Sequence, residues 1–134
     1  MAHVQIVNPE GLHRPRGYSH GMKIPAGSSF LFIAGQVAWD VQGRLVGGES
    51  FTTQFDRALE NLLEVVRASG GKPEGVVSLT LFVTNKDEYL AQIKAVGECY
   101  RARMGKHFPA MTLVEVKSLL EEGAKVEIQG IAVL

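Results

Sequence analysis

Pro109-Ala110-Met111-Thr112-Leu113-Val114-Glu115-Val116 and, after a short connection, Lys125-Val126-Glu127-Ile128-Gln129-Gly130-Ile131-Ala132-Val133-Leu134 close the chain and decide its fold. Both runs are rich in β-branched residues and read as strands. Leu119-Leu120-Glu121-Glu122-Gly123-Ala124 between them contains a turn. Each strand carries a carboxylate inside an apolar run, and such a group is costly to bury without a partner. Glu115 and Glu127 therefore mark either a wet sheet edge or a site. Met111, Leu113 and Glu115 share one parity, and Glu127 and Gln129 share one parity on the strand expected beside it.

Outward from this pair, residues 87–104 read as a helix stopped by Gly105, with Tyr89, Ile93, Val96, Gly97, Tyr100 and Met104 as its buried stripe. Lys86, Glu88, Lys94, Glu98, Arg101 and Arg103 read as solvated charges. Residues 76–83 form a strand with Val77, Leu79, Leu81 and Val83 on one face. Before it, Phe51, Phe55, Ala58, Leu59, Leu62, Leu63 and Val66 keep helical spacing between a Ser50 N-cap and a Gly70-Gly71 stop. Met22-Lys23-Ile24-Pro25 and Phe30-Leu31-Phe32-Ile33-Ala34 read as a hairpin closed by Gly35-Gln36. There a glycine permits close approach by a ligand or another chain, or marks a bulge. Residues 3–7 read as a short first strand.

The order strand, hairpin, helix, strand, helix, strand, strand gives an α+β domain over residues 1–134: a six-stranded mixed sheet with two helices on one face. Val114 and Val116 on one face of the closing strand oppose Met111 and Leu113 on the other. Covering both needs a second layer, which other subunits would supply. A closed homo-oligomer with sites where subunits meet is the expectation.

The 134 residues carry 14 basic and 14 acidic side chains, so the chain has no overall electrostatic footprint for a nucleic acid. Cys99 is the single cysteine and reads as a buried, inert thiol with no cation beside it. Its solitude fits a reducing compartment, and no secretory leader or membrane span is legible, so a cytoplasmic protein is expected. His3, His13, His20 and His107 show no metal-ligand spacing and read as isolated. Gly43, Gly47 and Gly48 make no phosphate-binding loop. Arg14 and Arg16, beside Tyr18, are either an anion site or solvated loop cations. The remaining candidates are Tyr18, Gly35, Gln36, Met111, Thr112, Glu115, Glu127 and Gln129. They could build a small pocket with one carboxylate for water activation, or a strand pair facing a wet interface.

Read together, Gly17-Tyr18-Ser19-His20, Phe32-Ile33-Ala34-Gly35-Gln36-Val37, Ala58-Leu59-Glu60-Asn61-Leu62, Leu81-Phe82-Val83, Pro109-Ala110, Val114-Glu115-Val116, Val126-Glu127-Ile128 and Ile131-Ala132-Val133 resemble the RidA/YjgF family. That family is also labelled endoribonuclease L-PSP or translation initiation inhibitor. The resemblance implies a chorismate-mutase-like fold, a homotrimer with three intersubunit clefts, and hydrolysis of 2-imino or enamino acids to 2-keto acids and ammonia without a cofactor. It also implies a water-positioning role for Glu127, with Tyr18 and the backbone near Gly35 framing the cleft. In active members an arginine directly after Pro-Ala grips the substrate carboxylate. Here that position holds Met111, an apolar thioether with no donor. A lost charge-assisted hydrogen bond is worth about 1.5–3 kcal/mol, a roughly tenfold to several hundredfold loss in transition-state binding. The helix before Gly105 also reads about one turn longer than in arginine-bearing members. A divergent branch with a more apolar or uncharged guest is expected, and its deaminase activity would be weak or absent. The alternatives are a working hydrolase that recruits Arg14, Arg16 or Lys125, and an RNA-acting or interaction protein.

Overall fold

The computed structural model describes residues 3–134. Its elements are β1 (Gln5–Val7), β2 (Gly21–Lys23), β3 (Phe30–Gln36), α1 (Phe51–Ala68), β4 (Val76–Val83), α2 (Lys86–Ala91), α3 (Ile93–Met104), β5 (Ala110–Glu115) and β6 (Val126–Val133). The architecture is α+β with a mixed sheet, but the six strands are divided. β1 and β2 form an antiparallel ribbon, and the main sheet has the order β3-β6-β4-β5. A parallel bridge from Ser19 to Ala110 joins the segment before β2 to the edge strand β5.

Two expectations are corrected here. β2 does not pair with β3: it pairs with β1, leaving β3 to pair with β6. Nor are the closing strands neighbours. β4 lies between them, parallel to β5 and antiparallel to β6. The connection of residues 116–125 therefore crosses over a strand instead of making a hairpin. Local turn signals register a reversal of the chain, but they do not say which strand lies between its ends.

α1 forms where its spacing predicts. Ser50 caps it by accepting from the Thr53 N–H, and Phe51, Phe55, Ala58, Leu59, Leu62, Leu63 and Val66 are all buried against the sheet. Full burial of each large side chain contributes about 1.5–3 kcal/mol. Gln54 lies fully buried on the same side. It donates to the Gly48 and Gly123 carbonyls, while its own oxygen accepts from the Lys125 N–H, so one amide ties two loops to the helix. The expected second helix is broken at Gln92, which ends α2 and begins α3. The Gln92 side chain accepts instead from Thr52 on α1.

The sheet has two unlike faces. Leu79, Leu81, Val126, Ile128 and Ala132 are buried beneath the helices. The other face presents Phe30, Phe32, Thr80, Phe82, Thr112, Val114 and Gln129, none of them buried. Phe32 is 75% exposed and Phe30 52%.

Candidate functional site

Leu79 and Leu81 on β4 face the helices, and their parallel partners on β5 are Met111 and Leu113. Met111 is thereby turned toward the helix layer. It lines a cavity of about 450 Å³ between the β4–β5 side of the sheet and α3. The wall is mostly apolar, with Leu79, Leu81, Ile93, Val96, Phe108 and Leu113 prominent. Tyr18 and Arg16 border it from the loop before β2, and Tyr89, Gly97 and Arg101 border it from the helices. Burial pushes the Tyr89 phenol above its ordinary range.

Glu127 lies on the other face. Its antiparallel partner is Phe82, of opposite parity to Leu81. The pairing of β3 with β6 slips between Ile33 and Gln36, so a bulge places Gly35 against the Glu127 side chain. A Cβ at Gly35 would overlap that carboxylate, with Glu127 Cδ at 2.8 Å. Of the two readings of Gly35 the bulge is the one seen, and the group that comes close to it is the Glu127 side chain of its own chain. Gln36 folds back to donate to the Ala34 carbonyl. Thr112 is exposed on the open face of β5.

The candidates therefore separate into two groups within the chain. Tyr18 and Met111 share the helix-side cavity, while Gly35, Gln36 and Glu127 share the bulge. A single pocket holding Met111 and Glu127 in one chain is ruled out by their opposite faces and by the intervening strand. Glu115 is engaged elsewhere: its carboxylate accepts from the Lys86 N–H in the first turn of α2, the helix that Asn85 caps.

Other readings change as well. His13 and His20 are not isolated. His13 Nε2 lies 2.7 Å from the Tyr18 hydroxyl, and His20 Nε2 lies 2.8 Å from the His13 carbonyl oxygen. The two imidazoles meet edge-on at 5.0 Å, so Tyr18 is fixed by an aromatic cluster. Among the described residues no three His, Cys, Asp or Glu side chains converge as a metal site. Arg103 and Glu88 are not merely solvated: Arg103 pairs with Asp56 and Glu60, and Lys125 pairs with Glu88 at 2.8 Å. Lys125 is thus committed. Arg14 borders a separate hollow with His13 and Lys106, which leaves Arg16 as the anticipated cation nearest Met111. Cys99 is half-buried, and its thiol is pushed up by burial and by the Asp56 charge, with Arg103 acting in the opposite direction. Ile93, expected in the buried stripe, is 49% exposed at the cavity mouth. Arg101 was hidden among the charges of its helix. Its signal is the spacing of Ile93, Gly97 and Arg101, one ridge of α3.

The sequence model of the endoribonuclease L-PSP family matches residues 11–134. This chain belongs to the RidA/YjgF family. A 2-iminobutanoate/2-iminopropanoate deaminase of Salmonella typhimurium is 32% identical over 78% of this chain and 80% of its own. A RutC family protein of Pyrococcus horikoshii is 30% identical over 96% of both chains. Among solved structures, the Rid-family protein YyfB of Yersinia pestis superposes with a TM-score of 0.87, at 34% identity over 98% of both chains. Escherichia coli TdcF, solved with bound serine, gives a TM-score of 0.67 at 27% identity, covering 92% of this chain and 91% of TdcF. The fold is the chorismate-mutase-like fold of RidA proteins. No helix in the described residues is long and apolar enough to cross a membrane.

Proposed function

We propose that this RidA-family protein binds a small metabolite in clefts completed between the subunits of a homotrimer. Its deaminase activity toward short 2-imino or enamino acids is weak or absent. The observation that carries this reading is the position of Met111. It faces an apolar cavity bordered by Tyr18, and β5 offers no donor where the resemblance calls for a carboxylate-gripping arginine. The split half-sites support an intersubunit cleft: one subunit would bring Met111 and Tyr18, and a neighbour would bring Glu127 seated on Gly35. The open sheet face supports assembly, since Phe32, Phe30 and Val114 are left uncovered on it.

An active hydrolase using another cation is the second reading. Arg16 at the border of the same cavity favours it. An RNA-directed activity finds no support in a chain of zero net charge. The test is hydrolysis of 2-iminobutanoate generated in situ, by wild type, Met111→Arg and Glu127→Gln. Met111→Arg is expected to gain about tenfold or more in kcat/KM, and Glu127→Gln to abolish what activity the parent protein has. Equal rates for wild type and Met111→Arg would contradict the proposal.

A further inference from the structure

The described ion pairs of this chain use Arg67, Arg103 and Lys125 as their cations. Arg101 takes part in none of them, although it lies less than one turn from Arg103 on the same helix. Its guanidinium is folded back along α3 over Gly97. A Cβ at that glycine would lie 3.2 Å from Arg101 Nη1 and 3.9 Å from Cζ. Glycine inside a helix costs about 1 kcal/mol relative to alanine, and the room it leaves is taken by the guanidinium. A cation near a helix C-terminus is favourable for the helix dipole, but that effect does not require a glycine four residues earlier. The same ridge, Ile93-Gly97-Arg101, borders the cavity that Met111 lines.

We infer that Arg101, seated on Gly97, is the carboxylate anchor of the Met111 cleft, and that the guest is a monocarboxylate with a branched or ring-sized apolar body held tail inward. This rests on the reading of the cavity as the ligand cleft, and it replaces the uncharged guest expected from Met111 with an acid held by a cation of α3. The depth of the cavity is apolar, with Leu79, Leu81 and Leu113 on its sheet side, and its cations lie on the surrounding loop and helix. Its volume of about 450 Å³ falls in the range of small-molecule sites. An acid of three or four carbons would leave most of that space empty. A larger tail would cover Met111, whose flexible thioether adapts to such a surface, and would bring its carboxylate to a planar fork of donors.

Calorimetric titration of the intact protein with hexanoate and 3-phenylpropanoate, against their primary amides, tests the anchor. The wild type is expected to bind each acid about tenfold or more tightly than its amide. Arg101→Gln should erase that preference, weakening the acids far more than the amides. Arg101→Lys should restore part of it, and Gly97→Ala should weaken the acids selectively. Arg101 is exposed, so these variants keep the fold, which circular dichroism verifies. Acids and amides bound equally, or a preference that survives Arg101→Gln, would overturn the anchor while leaving the cleft in place. If neither acids nor amides bind, the cleft reading fails and the anchor fails with it.

Discussion

Gly35 and Glu127 show how one missing side chain can shape a site. The bulge brings the backbone of β3 against the carboxylate, which occupies the space that a Cβ at Gly35 would take. The atoms that an alanine would meet belong to the movable side chain of Glu127, so Gly35→Ala is expected to cost less than about 1 kcal/mol while displacing the carboxylate. Gly75 is a contrast. A Cβ there would lie 2.5 Å from the Val133 carbonyl oxygen, which is backbone and cannot turn aside. Gly75→Ala is expected to cost about 2–3 kcal/mol by overpacking. Urea unfolding of the two variants checks the difference, and equal midpoints would contradict it. Neither neighbour is legible in the sequence, because both contacts join residues far apart in the chain.

At the scale of elements, periodicity carried far. α1, β4 and the two closing strands lie where their apolar spacing puts them. Pairing was less legible. β2 pairs with β1 across the loop that carries Tyr18, and local turn signals did not distinguish that partner from β3. The break at Gln92 was hidden because Tyr89, Ile93 and Val96 keep helical spacing across it, while the partner of the Gln92 side chain lies on another helix, at Thr52. α3 is itself anchored by Tyr100, which donates to the His107 carbonyl at 2.6 Å and stacks on Phe108 at 5.5 Å. Burial pushes the Tyr100 phenol well above its ordinary value of 10.0. The folded chain therefore holds this proton at a pH where the unfolded chain has begun to lose it. The stability linked to that proton is fully present at neutral pH and declines as pH rises above about 10. Tyr100→Phe is expected to be about 1 kcal/mol less stable at pH 7, from the lost hydrogen bond, with a shallower alkaline decline. Urea unfolding between pH 7 and 11 measures both. The Tyr89 phenol, also raised by burial, should preserve part of the slope.

Across the whole molecule, the helices protect one side of the sheet, and the other is left with aromatic and aliphatic groups in water. That asymmetry was visible in the alternation of the closing strands, since Val114 and Met111 point to opposite sides. The division of the candidate residues between those sides was not visible, because it depends on β4 lying between β5 and β6. In the proposed assembly, a neighbour would bring Glu127 from its open face to the Met111 that lies beneath these helices. The proposed homotrimer predicts sedimentation as three copies. Phe32→Asp, a charge placed at the most exposed aromatic position of that face, should yield monomers that keep their secondary structure. Unchanged trimers in analytical ultracentrifugation would show that this face is not the interface.

The claim beneath all of this is that the Met111 cavity receives the guest. The protein has four methionines, so methyl-labelled methionine gives a sparse and assignable spectrum. On titration with hexanoate, the Met111 methyl resonance is predicted to shift saturably while that of Met22, which does not line the cavity, stays in place. Saturable binding by calorimetry with an unmoved Met111 methyl would contradict the account.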